Sequence, residues 1–193
     1  MENRFPIVGL AAGSGTGKTT LLLKVLPQLK ALGWRVALIK RAHHTFDTDK
    51  PGKDSYELRK AGASQVLVGS DHRWALVVEN DEPKEPTLPD LLERLRPDAL
   101  DLVIVEGFKM APIPKIEIHR PSLRQPLLAA ADPHIIAVAA DAAVSVRVGV
   151  PVLDLNRPEE ITDFICRRFL APALAGLNTV APVRRHEGIL SAS

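Results

Sequence analysis

A lysine followed by two hydroxyls closes the run LAAGSGTGKTT at residues 10–20. These residue types at this spacing suit a phosphate. Glycines let the backbone take positive φ, so that successive N–H groups converge on one anion. The ammonium of Lys18 then reaches the β- and γ-phosphates, and the hydroxyl of Thr19 ligates a Mg²⁺ bridging them. Phosphate contacts are accordingly assigned to Gly13, Ser14, Gly15, Thr16, Gly17, Lys18, Thr19 and Thr20. The general pattern G-x-x-x-x-G-K-[ST] has Ala12 where its first glycine would stand. An alanine fits there if its backbone stays out of the positive-φ region. A glycine-rich turn with a coincidental lysine is the plainer alternative.

Such a loop needs a carboxylate at the end of a neighbouring strand to hold Mg²⁺ or position water. LDLVIVEG, residues 100–107, supplies Glu106 at the tip of an apolar run, where ligands bind in open α/β sheets. Thr19 and Glu106 form the expected metal pair, and Lys18 and Glu106 the expected catalytic pair. Asp is usual at this position, so Glu106 is a longer-armed version; a surface carboxylate capping the strand is the alternative. Asp101, near the other end of that strand, is read as structural.

The segment KRAHHTFDTDKPGKDS (residues 40–55) carries three readings. His43 and His44 with the nearby acids suit Zn²⁺ or Ni²⁺ if the loop turns sharply. As a switch segment, Asp49 or Asp54 would approach Mg²⁺ and Lys50 or Lys53 the γ-phosphate. Otherwise it is a solvated loop. Asp49 is retained as a candidate nucleotide contact. Guanine recognition wants a carboxylate accepting from the base's N1 and N2 donors after a late strand. IIAVAAD, residues 135–141, puts Asp141 there without the N-K-x-D pattern, and favours guanine over adenine.

The elements that must position these groups follow from hydrophobic periodicity. Residues 5–11 and 34–39 are short apolar runs, read as strands buried on both faces. Leu21, Leu22, Val25, Leu26, Leu29 and Leu32 fall at helical spacing between them. Strand, helix and strand form a βαβ unit, hence a parallel sheet. A short helix is expected over 55–60, and strands over 64–68 and 73–78 pair antiparallel because their connection is too short for a crossover. Further strands are expected at 100–105, 115–119, 135–139 and 151–153, with 115–119 (KIEIH) an edge strand by its alternation. Helices are expected at 91–95 and 158–170. The fold class is α/β, a P-loop NTPase-like three-layer α/β/α arrangement with a mostly parallel sheet and some antiparallel edge strands. One domain is expected over residues 1–171, with a poorly ordered tail over 172–193.

Composition bounds the function. The 193 residues include 46% hydrophobic and 25% charged side chains, as in an ordinary globular protein. A formal net charge of +2 without blocks of like charge argues against nucleic acid as the main partner. No apolar run reaches the roughly 18 residues of a membrane span, and the N-terminus lacks the pattern of a signal peptide. A cytoplasmic location is expected. The single cysteine, Cys166, precludes an internal disulfide, fits a reducing compartment, and reads as a small core residue.

AAGSGTGKTTLL, IKRAHHTFDTDKPGKDSYELRKAGA, RWALVVE and LDLVIVEGFK together resemble the MobB family, the adaptor proteins of molybdopterin-guanine dinucleotide biosynthesis. The similarity runs from about Ile7 to Phe169, and DKPGKDSYELRKAGA is more distinctive than any phosphate loop. Ala12 and Glu106, departures from the general pattern, look typical of this family. The resemblance implies a GTP-binding protein of the SIMIBI class, a homodimer, with weak intrinsic GTPase activity. It implies as partner MobA, the guanylyltransferase that joins GMP from GTP to molybdopterin. It carries phosphate contacts to Gly15 through Thr20, the acid near Mg²⁺ to Glu106, and the base contact to Asp141. It makes DKPGKDS a nucleotide-side or pterin-side loop.

Two rival functions use the same residues. A small kinase would phosphorylate a metabolite, but it would close an arginine-bearing lid, and Arg41, Arg59, Arg73 and Arg120 are scattered along the sequence. A metallochaperone would use His43, His44 and Cys166. Neither a water-orienting residue nor an arginine finger is evident, and either lack would leave hydrolysis slow.

Overall fold

The computed structural model describes residues 5–42, 46–47, 49–144 and 149–171. Its elements, in chain order, are β1 (Ile7–Ala11), α1 (Lys18–Ala31), β2 (Val36–Lys40), α2 (Asp54–Lys60), β3 (Gln65–Gly69), β4 (Trp74–Val78), α3 (Leu88–Leu92), β5 (Leu102–Glu106), β6 (Lys115–His119), β7 (Ile135–Ala140), β8 (Val152–Asp154) and α4 (Pro158–Ile165). They pack as two compact units, one of residues 41–94 and one of the segments on either side.

The larger unit is a six-stranded sheet of order β2-β5-β1-β6-β7-β8, parallel at every pairing. β1 and β2 are parallel, as the βαβ reading required, but β5 lies between them. Val8, Leu10, Leu102, Ile104, Ile116 and Ile118 share one core with Leu21, Leu22, Val25 and Leu29 of α1 and Ile161 and Ile165 of α4. Full burial of each such aliphatic side chain is worth about 1.5–3 kcal/mol against exposure. Pro27 interrupts the α1 hydrogen-bond ladder on the exposed side of the helix, where water can serve the carbonyl that loses its donor. α4 widens into a π turn over Cys166–Leu170 rather than continuing as regular α-helix.

The structure corrects the reading of β6 as an edge strand: it runs between β1 and β7. Its alternation is real, but the polar residues face inward. Lys115 is 1% exposed and Glu117 2%. Each is compensated, as a buried charge must be. Lys115 Nζ lies 2.9 Å from Asp132 Oδ2 and donates to the Ala111 carbonyl at 2.6 Å. The two Glu117 oxygens accept from the amides of Leu128 and Ala129 at 2.8 and 2.7 Å. Gly9, opposite Lys115 in the sheet, provides the room, because a Cβ there would stand 2.7 Å from Lys115 Cγ.

In the smaller unit, β3 and β4 pair antiparallel as a separate two-stranded sheet, with Gln65 opposite Val78. α3 begins at Leu88, three residues before the sequence reading. A capping box explains the early start: Thr87 Oγ1 accepts from the Asp90 amide, and Asp90 accepts from the Thr87 amide. Among the described residues no helix is long and apolar enough to cross a membrane. The expected tail at 172–193 lies outside the described residues.

Candidate functional site

The chain leaves β1 at Ala11, crosses residues 12–17 and enters α1 at Lys18. Gly15 and Gly17 turn this loop, with φ of 75° and 95°. Both lie in the left-handed region that a side chain disfavours. Ala12 keeps a negative φ, since Arg124 is the single non-glycine with positive φ among the described residues. Alanine therefore fits where the general pattern has glycine.

Ser14, Gly15, Thr19 and Thr20 are exposed, whereas Thr16 is buried. The Thr16 hydroxyl donates to the Gly13 carbonyl at 3.0 Å, and Lys18 Nζ donates to the same oxygen at 3.1 Å. The Thr16 side chain thus ties the loop together, while Lys18 lies folded over it. The first turn of α1 contains no acidic residue, so no carboxylate of that turn offsets its free amides and positive dipole end. This donor set fits an anion.

Glu106 is the last residue of β5 and pairs with Leu10 on one side and Lys40 on the other. It is half-buried, and its carboxylate has no hydrogen-bond or ion-pair partner among the described residues. Gly107 follows with φ of 95° and turns the chain away. A hard dication takes oxygen ligands, and the exposed Thr19 hydroxyl and unpaired Glu106 carboxylate are of that type. Asp101, at the other end of the strand, is structural in its contacts. It accepts from Arg35 Nη2 at 2.8 Å and Nε at 3.0 Å, and these bonds hold its carboxyl below the usual range.

Asp141 follows β7 directly. Its Oδ2 lies 2.5 Å from Arg120 Nη1, and Asn156 Nδ2 lies 3.5 Å from its backbone oxygen. Sequence reasoning did not assign Arg120 to the site. Its Nε donates to the Thr16 carbonyl at 2.8 Å, so one guanidinium touches both the phosphate loop and Asp141. Gln125 was also missed. Its Nε2 lies 3.5 Å from the Ser14 carbonyl, and a Cβ on Gly13 would stand 1.8 Å from its Oε1. The available signal was a charge directly after a strand, and reading β6 as an edge concealed it.

Asp49 belongs to the smaller unit. There it meets Ser55 Oγ and Arg59 Nε, each at 3.5 Å. Arg59 also reaches Glu79 at 2.5 Å and pairs with Asp47, and its guanidinium lies 5.2 Å from the Tyr56 ring centre. The Gly52 amide donates to Glu57 at 3.1 Å. Asp49, Tyr56 and Glu79 thus gather around Arg59, with Asp47 beside them. His43 and His44 lie outside the described residues, and no group of three metal-ligating side chains is found among the described ones. Cys166 is partly buried, and burial, aided by the negative charge of Asp163, pushes its thiol up.

An apolar recess of about 490 Å³ lies where β1 and β6 begin, lined by Phe5, Pro6, Ile113 and Phe169 among others. The phosphate loop follows the opposite end of β1, so the recess is separate from it.

Comparison with known proteins agrees with the fold. The family described as "Molybdopterin guanine dinucleotide synthesis protein B", MobB, matches residues 7–141. The molybdopterin-guanine dinucleotide biosynthesis adapter protein of Escherichia coli K12 is 49% identical over 165 residues, covering 85% of this chain and 93% of its own. That of Haemophilus influenzae is 43% identical, covering 86% and 90%. A crystal structure of molybdopterin-guanine biosynthesis protein B superposes with a TM-score of 0.64 at 28% identity, over 83% of this chain and 98% of that one. A MobB homologue from Bacillus stearothermophilus gives 0.59 at 26%, over 83% and 95%. A family match running from β1 through Asp141, with full-length relatives at this identity, makes the chain a member of the MobB family.

Proposed function

We propose that the chain is a GTP-binding adaptor that assists MobA, the guanylyltransferase, in attaching GMP from GTP to molybdopterin. The observation that carries this reading is the loop itself, a glycine cradle before a helix whose first turn holds no acid. Lys18 and the amides of residues 13–20 would hold the phosphates, Thr19 and Glu106 would hold Mg²⁺, and Asp141 would accept from the base. The dication neutralises charge developing on the phosphates. Lys18 would supply a second positive charge, and Glu106 would fix the ion or its water. Asp49 is proposed as a further nucleotide contact.

Slow hydrolysis is part of the proposal, supported by Arg120, whose Nε and Nη1 are held by Thr16 and Asp141. The nucleotide-binding part is proposed to comprise residues 1–171, and the protein to work in the cytoplasm as a homodimer. The dimer is supported by the β3–β4 hairpin, where Leu67, Trp74 and Leu76 are 67%, 55% and 45% exposed. Family membership favours the adaptor over the small kinase.

Calorimetric titration with GTP and ATP in the presence of Mg²⁺, repeated on Lys18→Ala and Asp141→Ala, tests the reading. GTP binding that is lost at Lys18 and made indifferent to the base at Asp141 supports it. Equal or tighter ATP binding by the unaltered chain overturns the guanine assignment, and rapid turnover by the isolated protein overturns slow hydrolysis.

A further inference from the structure

A nucleoside triphosphate joins its base to its phosphates through one ribose, which limits how far apart they can lie, so a site that reads both must hold its two readers in register. The described residues place one side chain between them. Arg120 leaves the end of β6, donates through Nε to the Thr16 carbonyl at 2.8 Å, and reaches Asp141 Oδ2 through Nη1 at 2.5 Å. Its third nitrogen lies 3.4 Å from the point where a Cβ on Gly17 would sit. A guanidinium is planar and presents its donors in fixed directions. With one edge on the loop and another on the carboxylate, it cannot rotate without breaking a bond. One oxygen of Asp141 is thereby occupied, and Oδ1 has no partner among the described residues.

We infer that Arg120 is a positioning residue for base recognition, fixing the Asp141 carboxylate against the phosphate loop so that its free oxygen meets the guanine donors. This rests on the proposed role of Asp141 as the base reader. It also accounts for a cation being absent beside Asp141 in sequence: the neighbouring strand end supplies it. A lysine offers a compact point charge on a flexible stem without the planar fork, so it would not hold the carboxylate in one fixed direction against the loop.

The test is calorimetry on the full chain with GTP, ATP and inorganic tripolyphosphate, each with Mg²⁺. The variants are Arg120→Ala, Arg120→Lys, Asp141→Ala and the Arg120→Ala/Asp141→Ala pair. The expected result for Arg120→Ala is a GTP-over-ATP preference reduced about tenfold, the worth of one hydrogen bond to a charged group. The double variant should show no lower preference than Asp141→Ala alone, and Arg120→Lys should fall between wild type and Arg120→Ala. Equal weakening of all three ligands with the preference intact would mean that Arg120 merely stiffens the loop, and would overturn the inference. So would a wild-type preference in Arg120→Lys. If Arg120→Ala is unfolded at the titration temperature, Arg120→Gln, which retains a planar amide donor for Thr16 but no charge for Asp141, takes its place. Loss of preference in Asp141→Ala but not in Arg120→Ala defeats this inference alone. Unchanged preference in Asp141→Ala defeats the guanine reading beneath it.

Discussion

Lys115 illustrates how a charge enters the interior of a sheet. Its ammonium has two acceptors, Asp132 and the Ala111 carbonyl, and a glycine opposite makes space for its stem. Removing the counter-charge with Asp132→Asn is expected to cost about 3 kcal/mol, because it leaves a buried cation without its anion; urea denaturation at neutral pH measures it. For Asp132, burial works to raise the carboxyl, but the bonds from Lys115 and from the His134 amide outweigh it and set the group below its ordinary value. A carboxyl lowered in the folded state contributes its stability in full above the unfolded value of about 3.9 and loses it as pH falls through the folded one. The gap between wild type and Asp132→Asn should therefore close as the pH falls below about 4, and parallel acid curves would refute the pairing argument. Thr16→Val tests the loop's internal tie. It removes the bond to Gly13, with an expected loss of about 1 kcal/mol in stability, together with weaker binding of GTP. The glycine turn between β1 and α1 was legible in sequence because its residues are adjacent. Arg120 was not, because its partners are 104 and 21 residues away.

Among the elements, α1 carries both the core stripe and an anomaly, Pro27. Pro27→Ala restores a backbone donor in a helix interior, so stability should rise by about 2 kcal/mol after allowance for the proline's effect on the unfolded chain. An increased urea midpoint at unchanged slope would register it. The α1–α4 contact includes a polar bond, Thr162 Oγ1 to Gln28 Oε1 at 2.7 Å, inside an otherwise apolar interface. Periodicity located both helices but said nothing of this bond, since it depends on their crossing. β6 was misplaced for a related reason. Alternating polar residues resemble a half-exposed strand until the partners of Lys115 and Glu117 are known. β5 was legible because the four consecutive apolar residues Leu102–Val105 before Glu106 admit burial on both faces. The antiparallel pairing of β3 and β4 was legible from the length of their connection.

For the whole molecule, the exposed apolar side chains of β3 and β4 bear on association. Leu67→Lys or Leu76→Lys is expected to shift a dimer toward monomer in multi-angle light scattering while leaving GTP affinity unchanged. An unaltered mass would remove the hairpin as the contact. A chain ended at Ala171 is expected to bind GTP as the full-length chain does, and loss of binding would place part of the site in the last 22 residues. Gln125 has a consequence for heredity. The volume that a side chain at position 13 would fill is the volume that the Gln125 amide already occupies. The two positions compete for one space, so a side chain at 13 requires the Gln125 amide to swing aside from its present place. Across related chains, a bulky residue at 13 should accompany a shortened or displaced residue at 125, and these two sites should drift as a pair although 112 residues of sequence separate them.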